Sequence, residues 1–135
     1  MTDFVNFSFE RGVLLNLLID GIEGYTCRRG QGWGQVEEYH WGAWYINEGA
    51  KEVPNPALTE ETVLCKIRDV ETKGSPFVSI TLKKLQEAVN WVITYYPKAI
   101  ESWEVKGGMV VDLDYDADSA DLVLQRIILG NVIYG

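Results

Sequence analysis

Residues 81–97 read TLKKLQEAVNWVITYYP, and this stretch decides the fold class. The hydroxyl oxygen of Thr81 can cap a helix, and Pro97 prevents that helix from continuing. Between them the apolar side chains recur with the period of one helix face. These positions are Leu82, Leu85, Val89, Val92, Ile93 and Tyr96. The stretch therefore predicts an amphipathic helix that must bury one face against another layer.

Further along, residues 109–130 read MVVDLDYDADSADLVLQRIILG and predict a strand followed by a helix. The strand alternates in polarity, and its expected inner face carries Met109, Val111, Leu113 and Tyr115. Asp118 is expected to cap the helix, and Gly130 is expected to end it. The expected core stripe of this helix is Ala120, Val123, Leu124, Ile127 and Ile128.

Weaker patterns predict two more helices. Ser8 is placed to cap a helix that begins at Phe9 and ends at Gly21, with a short strand before it. Thr59 is placed to cap a helix that ends at Gly74, Ser75 and Pro76, because acidic residues follow Thr59 and apolar residues recur at helical spacing as far as Val70.

The remaining segments predict strands and connections. Residues 25–29 are expected to form a strand, whereas residues 36–46 fit either a strand or a helix, and their aromatic content favours the strand. Residues 47–56 contain two prolines and a glycine and predict a mobile surface loop. A short helical turn is expected over residues 97–103 and a final strand over residues 131–134.

Together these patterns predict one α+β domain over residues 1–135. Its 47% apolar and 24% charged residues are typical of a globular chain of this length. We expect a small mixed or antiparallel sheet packed by about three to four helices.

The net charge excludes some partners. Twenty acidic against twelve basic residues give a formal charge of −8, which repels phosphate backbones and anionic lipids. We therefore expect neither nucleic acid nor a membrane as partner. Cys27 and Cys65 lack metal-ligand spacing, and the first ten residues contain no Lys or Arg that would begin a signal peptide. A cytoplasmic protein without cofactor is expected.

Two segments carry the candidate sites for small ligands. Arg28 and Arg29 precede the run Gly-Gln-Gly-Trp-Gly, which ends at residue 34, so cations, free backbone amides and the Trp33 ring occur together. Such groups can hold an anion beside a flat ring, and His40, the single histidine, can add a polar group. In the second segment Asp114, Asp116 and Asp118 are weak metal candidates, because the run lacks the glycine and glutamate of a calcium loop.

An aromatic flank predicts an interface. Trp91 and Tyr95 are four positions apart beside the main stripe of their helix, while Leu122 and Leu129 widen the apolar face of the last helix. These four residues are the expected contacts with a protein partner or a second copy, and a homodimer is expected.

No complete catalytic constellation is recognisable, so we expect a small acidic, non-enzymatic binding protein. Its charge suits an inhibitor or immunity-type accessory protein that covers a basic surface. The alternative is a small enzyme or a protein that binds a nucleotide-type or phosphate-type anion through the Arg28, Arg29 and Trp33 loop.

Overall fold

The computed structural model describes residues 5–134, which form one α+β domain and confirm the predicted fold class. The helices are α1 (Arg11–Gly21), α2 (Leu82–Tyr95) and α3 (Ala117–Leu129). The strands are β1 (Ser8–Phe9), β2 (Gly34–Glu37), β3 (Tyr45–Glu48), β4 (Lys51–Pro54), β5 (Cys65–Asp69), β6 (Val78–Ile80), β7 (Ser102–Lys106) and β8 (Met109–Asp114). A π-helical turn spans Ile22–Thr26, and 3-10 turns span Arg28–Gly30 and Trp41–Trp44.

The described strands form two three-stranded sheets and one separate hairpin. In the first sheet the order is β1, β8, β7, with β1 parallel and β7 antiparallel to β8. In the second, β2, β5 and β6 are antiparallel neighbours. In the part of the chain that the structure describes, strands β3 and β4 pair only with each other. The predicted mixed and antiparallel pairing is therefore present.

The core lies where the three helices meet, and α3 contacts both other helices as well as β5 and β6. The helix side chains that are fully buried there are Leu15, Leu17, Leu18, Leu85, Val89, Val92, Ala120, Val123 and Leu124, and Cys65, Ile67 and Ile80 of the second sheet are equally buried. None of the helices within residues 5–134 has both the length and the apolar character that a membrane span requires.

Helix α2 matches its prediction closely. The Thr81 hydroxyl oxygen accepts a hydrogen bond from the Lys84 backbone N–H at 3.2 Å, and the helix ends at Tyr95, just before Pro97. Helix α3 ends at Gly130 as predicted, but its cap is Asp116, which accepts from the Ser119 backbone N–H at 2.8 Å. The predicted cap Asp118 lies instead in the first turn.

Strand β8 is present, and its predicted faces are correct at Asp112, Leu113 and Asp114 but wrong at Met109 and Val110. Glu104 pairs with Asp112 and Val105 pairs with Val110, so Val111 is an extra residue that forms a β-bulge. The bulge shifts the alternation by one position. Val110 and Leu113 are consequently both buried, whereas Met109 is exposed.

The first helix differs from its prediction at both ends, since residues 8–9 form β1 and the chain continues past Gly21 into the π-helical turn. A Cβ atom on Gly21 would lie 2.9 Å from Leu124 Cδ1 and 3.3 Å from Ala120 Cβ. This glycine therefore allows α1 and α3 to pack closely and does not act as a helix stop. The strand predicted over residues 25–29 is also wrong, because the π-helical turn and the following 3-10 turn occupy these residues.

Five other segments also differ. The helix predicted after Thr59 is wrong: the Thr62 hydroxyl accepts from the Thr59 N–H in a local turn, and residues 65–69 alternate as β5. The loop predicted over residues 47–56 is largely the β3–β4 hairpin. Residues 36–46 contain the end of β2, a 3-10 turn and the start of β3, so neither interpretation holds throughout. Residues 97–103 lead into β7, and residues 131–134 form no strand.

Candidate functional site

The predicted Arg/Gly/Trp loop follows the π-helical turn directly. Arg28 and Arg29 are both exposed, and Arg29 has a left-handed backbone with φ of 49°. A Cβ atom on Gly32 would lie 1.8 Å from the carbonyl oxygen of Thr26. Only glycine allows the loop to approach the turn this closely, so Gly32 serves packing between two backbone segments.

An open cavity of about 520 Å³ lies against this loop. We call it the aromatic cavity, and its lining consists of Gly24, Tyr25, Arg28, Gln31, Gly32, Trp33, Glu71 and Tyr134. The structure thus brings two of the predicted ligand-binding residues, Arg28 and Trp33, to one cavity. The other two, Arg29 and His40, do not line it.

Trp33 is fixed by a buried hydrogen-bond network. Its indole Nε1–H donates to Asp121 Oδ1 at 2.8 Å, and the Thr26 hydroxyl donates to the same oxygen at 2.6 Å. Gln125 Nε2 donates to Asp121 Oδ2 at 2.7 Å. Because Trp33 is only 6% exposed, it forms part of the cavity wall and is not the free stacking surface that the sequence suggested.

The same network holds the wall formed by Tyr134. Gln125 Oε1 accepts the backbone N–H groups of Ile133 and Tyr134, each at 2.8 Å. The Tyr134 hydroxyl reaches both carboxylate oxygens of Asp69 at 3.0 Å, and its ring lies 5.6 Å from that of Trp33. Burial, followed by the bond to Asp69, raises the pKa of Tyr134. The cavity is therefore built by side chains that are already held in place.

His40 lies away from this cavity, exposed before the 3-10 turn at residues 41–44. Within residues 5–134 no hydrogen bond or ion pair engages its imidazole. The two cysteines are free thiols, and burial raises the pKa of each to about 12. The charge of Asp121 adds to the shift at Cys27, and that of Cys27 adds to the shift at Cys65.

The aspartate run is divided between three structural roles. Asp114 is exposed at the end of β8, Asp116 caps α3 and Asp118 is exposed in its first turn. The backbone N–H of Ser119, followed by its hydroxyl, lowers the pKa of Asp116. In the described part of the chain no three His, Cys, Asp or Glu side chains are grouped so that they could hold a metal ion.

A second surface feature joins Asp116 to carboxylates from α1 and the π-helical turn. Asp20, Glu23 and Asp116 line a groove of about 360 Å³ together with Ile19, Gly24, Tyr115 and Ala117. We call it the acidic groove, since among residues 5–134 no Lys or Arg belongs to its lining. Three negative charges thus face one recess.

Tyrosine hydroxyls orient two of these carboxylates. Tyr115 donates to Asp20 Oδ2 at 2.6 Å, and Tyr39 donates to Glu23 Oε2 at 2.5 Å. Burial, followed by these hydrogen bonds, raises the pKa of both tyrosines. The phenols therefore remain protonated donors, and they hold the carboxylates without neutralising them.

The predicted aromatic flank is packed within the chain only in part, and Tyr95 is 44% exposed. The Trp91 ring lies 5.2 Å from that of Tyr95, and the Arg126 guanidinium lies 4.5 Å above the Trp91 ring. Leu122 and Leu129 are half-buried and, like Trp91, contact the core. Their part in an interface stays a prediction.

Sequence reasoning missed Asp20, Glu23, Glu71 and Tyr134. No motif marks them, because each reaches its site only through the packing of distant segments. Of the three carboxylates in the acidic groove, Asp116 is the only one that the sequence analysis named, and it was named as a metal candidate. Comparison with known proteins adds no assignment, since no family model, no curated protein and no solved structure matches this chain.

Proposed function

We propose that this chain is a non-enzymatic binding protein whose acidic groove contacts a basic surface of a protein partner. The observation that carries the proposal is the convergence of Asp20, Glu23 and Asp116 in a groove whose described lining contains no cation. An inhibitor or immunity-type accessory protein would use such a surface to cover a cationic site.

The charge of the whole chain supports this proposal. Of the carboxylates within residues 5–134, only Glu38 and Glu104 form ion pairs with a lysine, at 3.4 Å in both cases. With a net charge of −8, most of the acidic groups are left without a cationic neighbour. A basic partner would be attracted over long range and would exchange water for charged hydrogen bonds at contact.

Preorganisation favours a specific contact over diffuse attraction. Asp20 and Glu23 are each held by a tyrosine hydroxyl, and Asp116 is held by Ser119. Side chains that are already ordered lose less conformational entropy when they bind. Lysine or arginine side chains of a partner would therefore find acceptors in fixed positions.

The test compares two variants of equal net charge. The groove variant combines Asp20→Asn, Glu23→Gln and Asp116→Asn, which retain an oxygen acceptor for each tyrosine and for the helix cap. The control variant combines Glu48→Gln, Glu61→Gln and Glu101→Gln, three exposed carboxylates outside the groove. Binding to a Lys- and Arg-rich peptide library is measured by biolayer interferometry at physiological salt.

We expect peptides that bind the unmodified chain to lose about 10-fold in affinity for the groove variant, since each exposed ion pair contributes up to about 1 kcal/mol. The control variant should lose about 2-fold or less. Equal losses in both variants would show attraction by net charge alone and would contradict the proposal.

Two further expectations accompany it. The free thiols Cys27 and Cys65 support a reducing compartment such as the cytoplasm. A homodimer through Trp91, Tyr95, Leu122 and Leu129 remains the expected assembly.

The second candidate function, binding of a small ligand by the Arg28 loop, is favoured by one observation, namely that Arg28 and Trp33 line the same cavity.

A further inference from the structure

We infer that the aromatic cavity is a binding site for a small aromatic zwitterion, of which a free aromatic amino acid is the simplest example. The site adjoins the acidic groove at Gly24 but is otherwise lined by different residues. The inference therefore does not depend on the proposed protein partner.

The first support is the presence of polar groups that the protein leaves unused. Arg28 and Gln31 line the cavity, and within residues 5–134 neither side chain forms a hydrogen bond or an ion pair. Glu71 lines it too, and its carboxylate is likewise unpaired in the described chain. One cation, one anion and one amide are thus free to contact a ligand.

The second support is the combination of charge and shape. Arg28 can bind a carboxylate through a forked pair of hydrogen bonds, and Glu71 can accept from an ammonium group. A phosphate dianion fits less well, because Glu71 and a net charge of −8 both oppose it. The rings of Tyr25, Trp33 and Tyr134 supply the apolar surface, and about 520 Å³ is within the range of small-molecule sites.

The third support is the rigidity of the walls. Asp121 and Gln125 hold Trp33 and the segment at Tyr134, so the cavity exists before a ligand arrives. A π-helical turn forms one side, and the left-handed Arg29 adjoins Arg28. Both features occur preferentially at functional sites.

The test uses L-phenylalanine as probe, with binding measured by isothermal titration calorimetry and by ligand-detected NMR. We expect a Kd of about 1 mM or tighter, given the affinity that so small a ligand can reach. Phenylpropionate, which lacks the ammonium group, and phenethylamine, which lacks the carboxylate, should each bind about 10-fold more weakly. Adenosine monophosphate tests the phosphate alternative.

Variants locate the site. Arg28→Gln and Glu71→Gln should each weaken L-phenylalanine about 10-fold, whereas Arg29→Gln should change it by less than about 2-fold. Arg29 is the matched control because it is also exposed and adjoins Arg28 but does not line the cavity. Circular dichroism confirms that each variant is folded.

Three outcomes would overturn the inference: no binding of L-phenylalanine at about 10 mM, unchanged binding by Arg28→Gln, or tighter binding of adenosine monophosphate. None of these outcomes tests the binding of a basic partner to the acidic groove. A failure here is therefore distinguishable from a failure of the proposed function.

Discussion

Asp121 joins three separate segments through its two carboxylate oxygens. It accepts hydrogen bonds from Thr26 in the π-helical turn, from Trp33 in the loop and from Gln125 on its own helix. The side chain is only 2% exposed, so water cannot replace these bonds. Removing the acceptor would leave buried donors without partners, which costs more than the bonds themselves contribute.

Asp121→Ala should therefore lower the free energy of unfolding by about 3 kcal/mol or more. Asp118→Ala is the matched control on the same helix. Asp118 is exposed, and its loss should cost about 0.5 kcal/mol through the helix dipole. Urea denaturation followed by circular dichroism measures both. Equal costs for the two variants would mean that the buried network does not stabilise the fold.

At the scale of single elements, α2 was predictable because its cap, apolar period and terminating proline agree. The segment after Thr59 carries a cap and an acidic first turn as well, yet it forms a local turn and then β5. The alternation of Cys65, Ile67 and Asp69 into the interior outweighed the helix signals, since pairing with β2 and β6 buries that face. Tertiary contacts of this kind cannot be predicted from the local sequence pattern.

The cap of α3 gives the element-scale prediction. Asp116→Ala removes the acceptor for the Ser119 backbone N–H and should cost about 1 kcal/mol, whereas Asp116→Asn retains the cap and should cost little. Because the pKa of Asp116 is lowered in the folded state, its contribution is present above the unfolded pKa of 3.8 and is lost as pH falls through the folded value. Thermal unfolding at pH 7 and at pH 2 distinguishes the two variants. The contribution is absent if alanine and asparagine unfold at the same temperature at pH 7.

At the scale of the whole molecule, the candidate sites show where sequence reasoning ends. Arg28 and Trp33 could be associated in advance because five positions separate them. Asp20, Glu23 and Asp116 meet only because α1 packs on α3, and Gly21 at that contact was interpreted as a helix stop. The bulge at Val111 likewise follows from pairing with β7 and not from the composition of β8.

The two thiols report on global unfolding. In the unfolded chain they have a pKa of about 9, whereas burial raises both values to about 12. At pH 8 the folded chain should react with Ellman's reagent about a thousand-fold more slowly than the unfolded chain.

The same shifts give a pH dependence. Between pH 9 and 12 the folded state retains protons that the unfolded state loses, so the free energy of unfolding should fall as pH rises. A variant with Cys27→Ala and Cys65→Ala should show a shallower fall, with the part due to tyrosines remaining. Rapid reaction of both native thiols at pH 8 would contradict the burial described above.

The pairing of β1 with β8 also constrains the order of folding. β7 and β8 are joined by Gly107 and Gly108, both with positive φ, so this hairpin can form from neighbouring residues alone. β1 has no such neighbour: Ser8 must wait until Met109 has been synthesised and has entered the sheet. Because closing so long a loop is slow, the first sheet should complete late, and a chain arrested before β8 would expose Phe9 to aggregation.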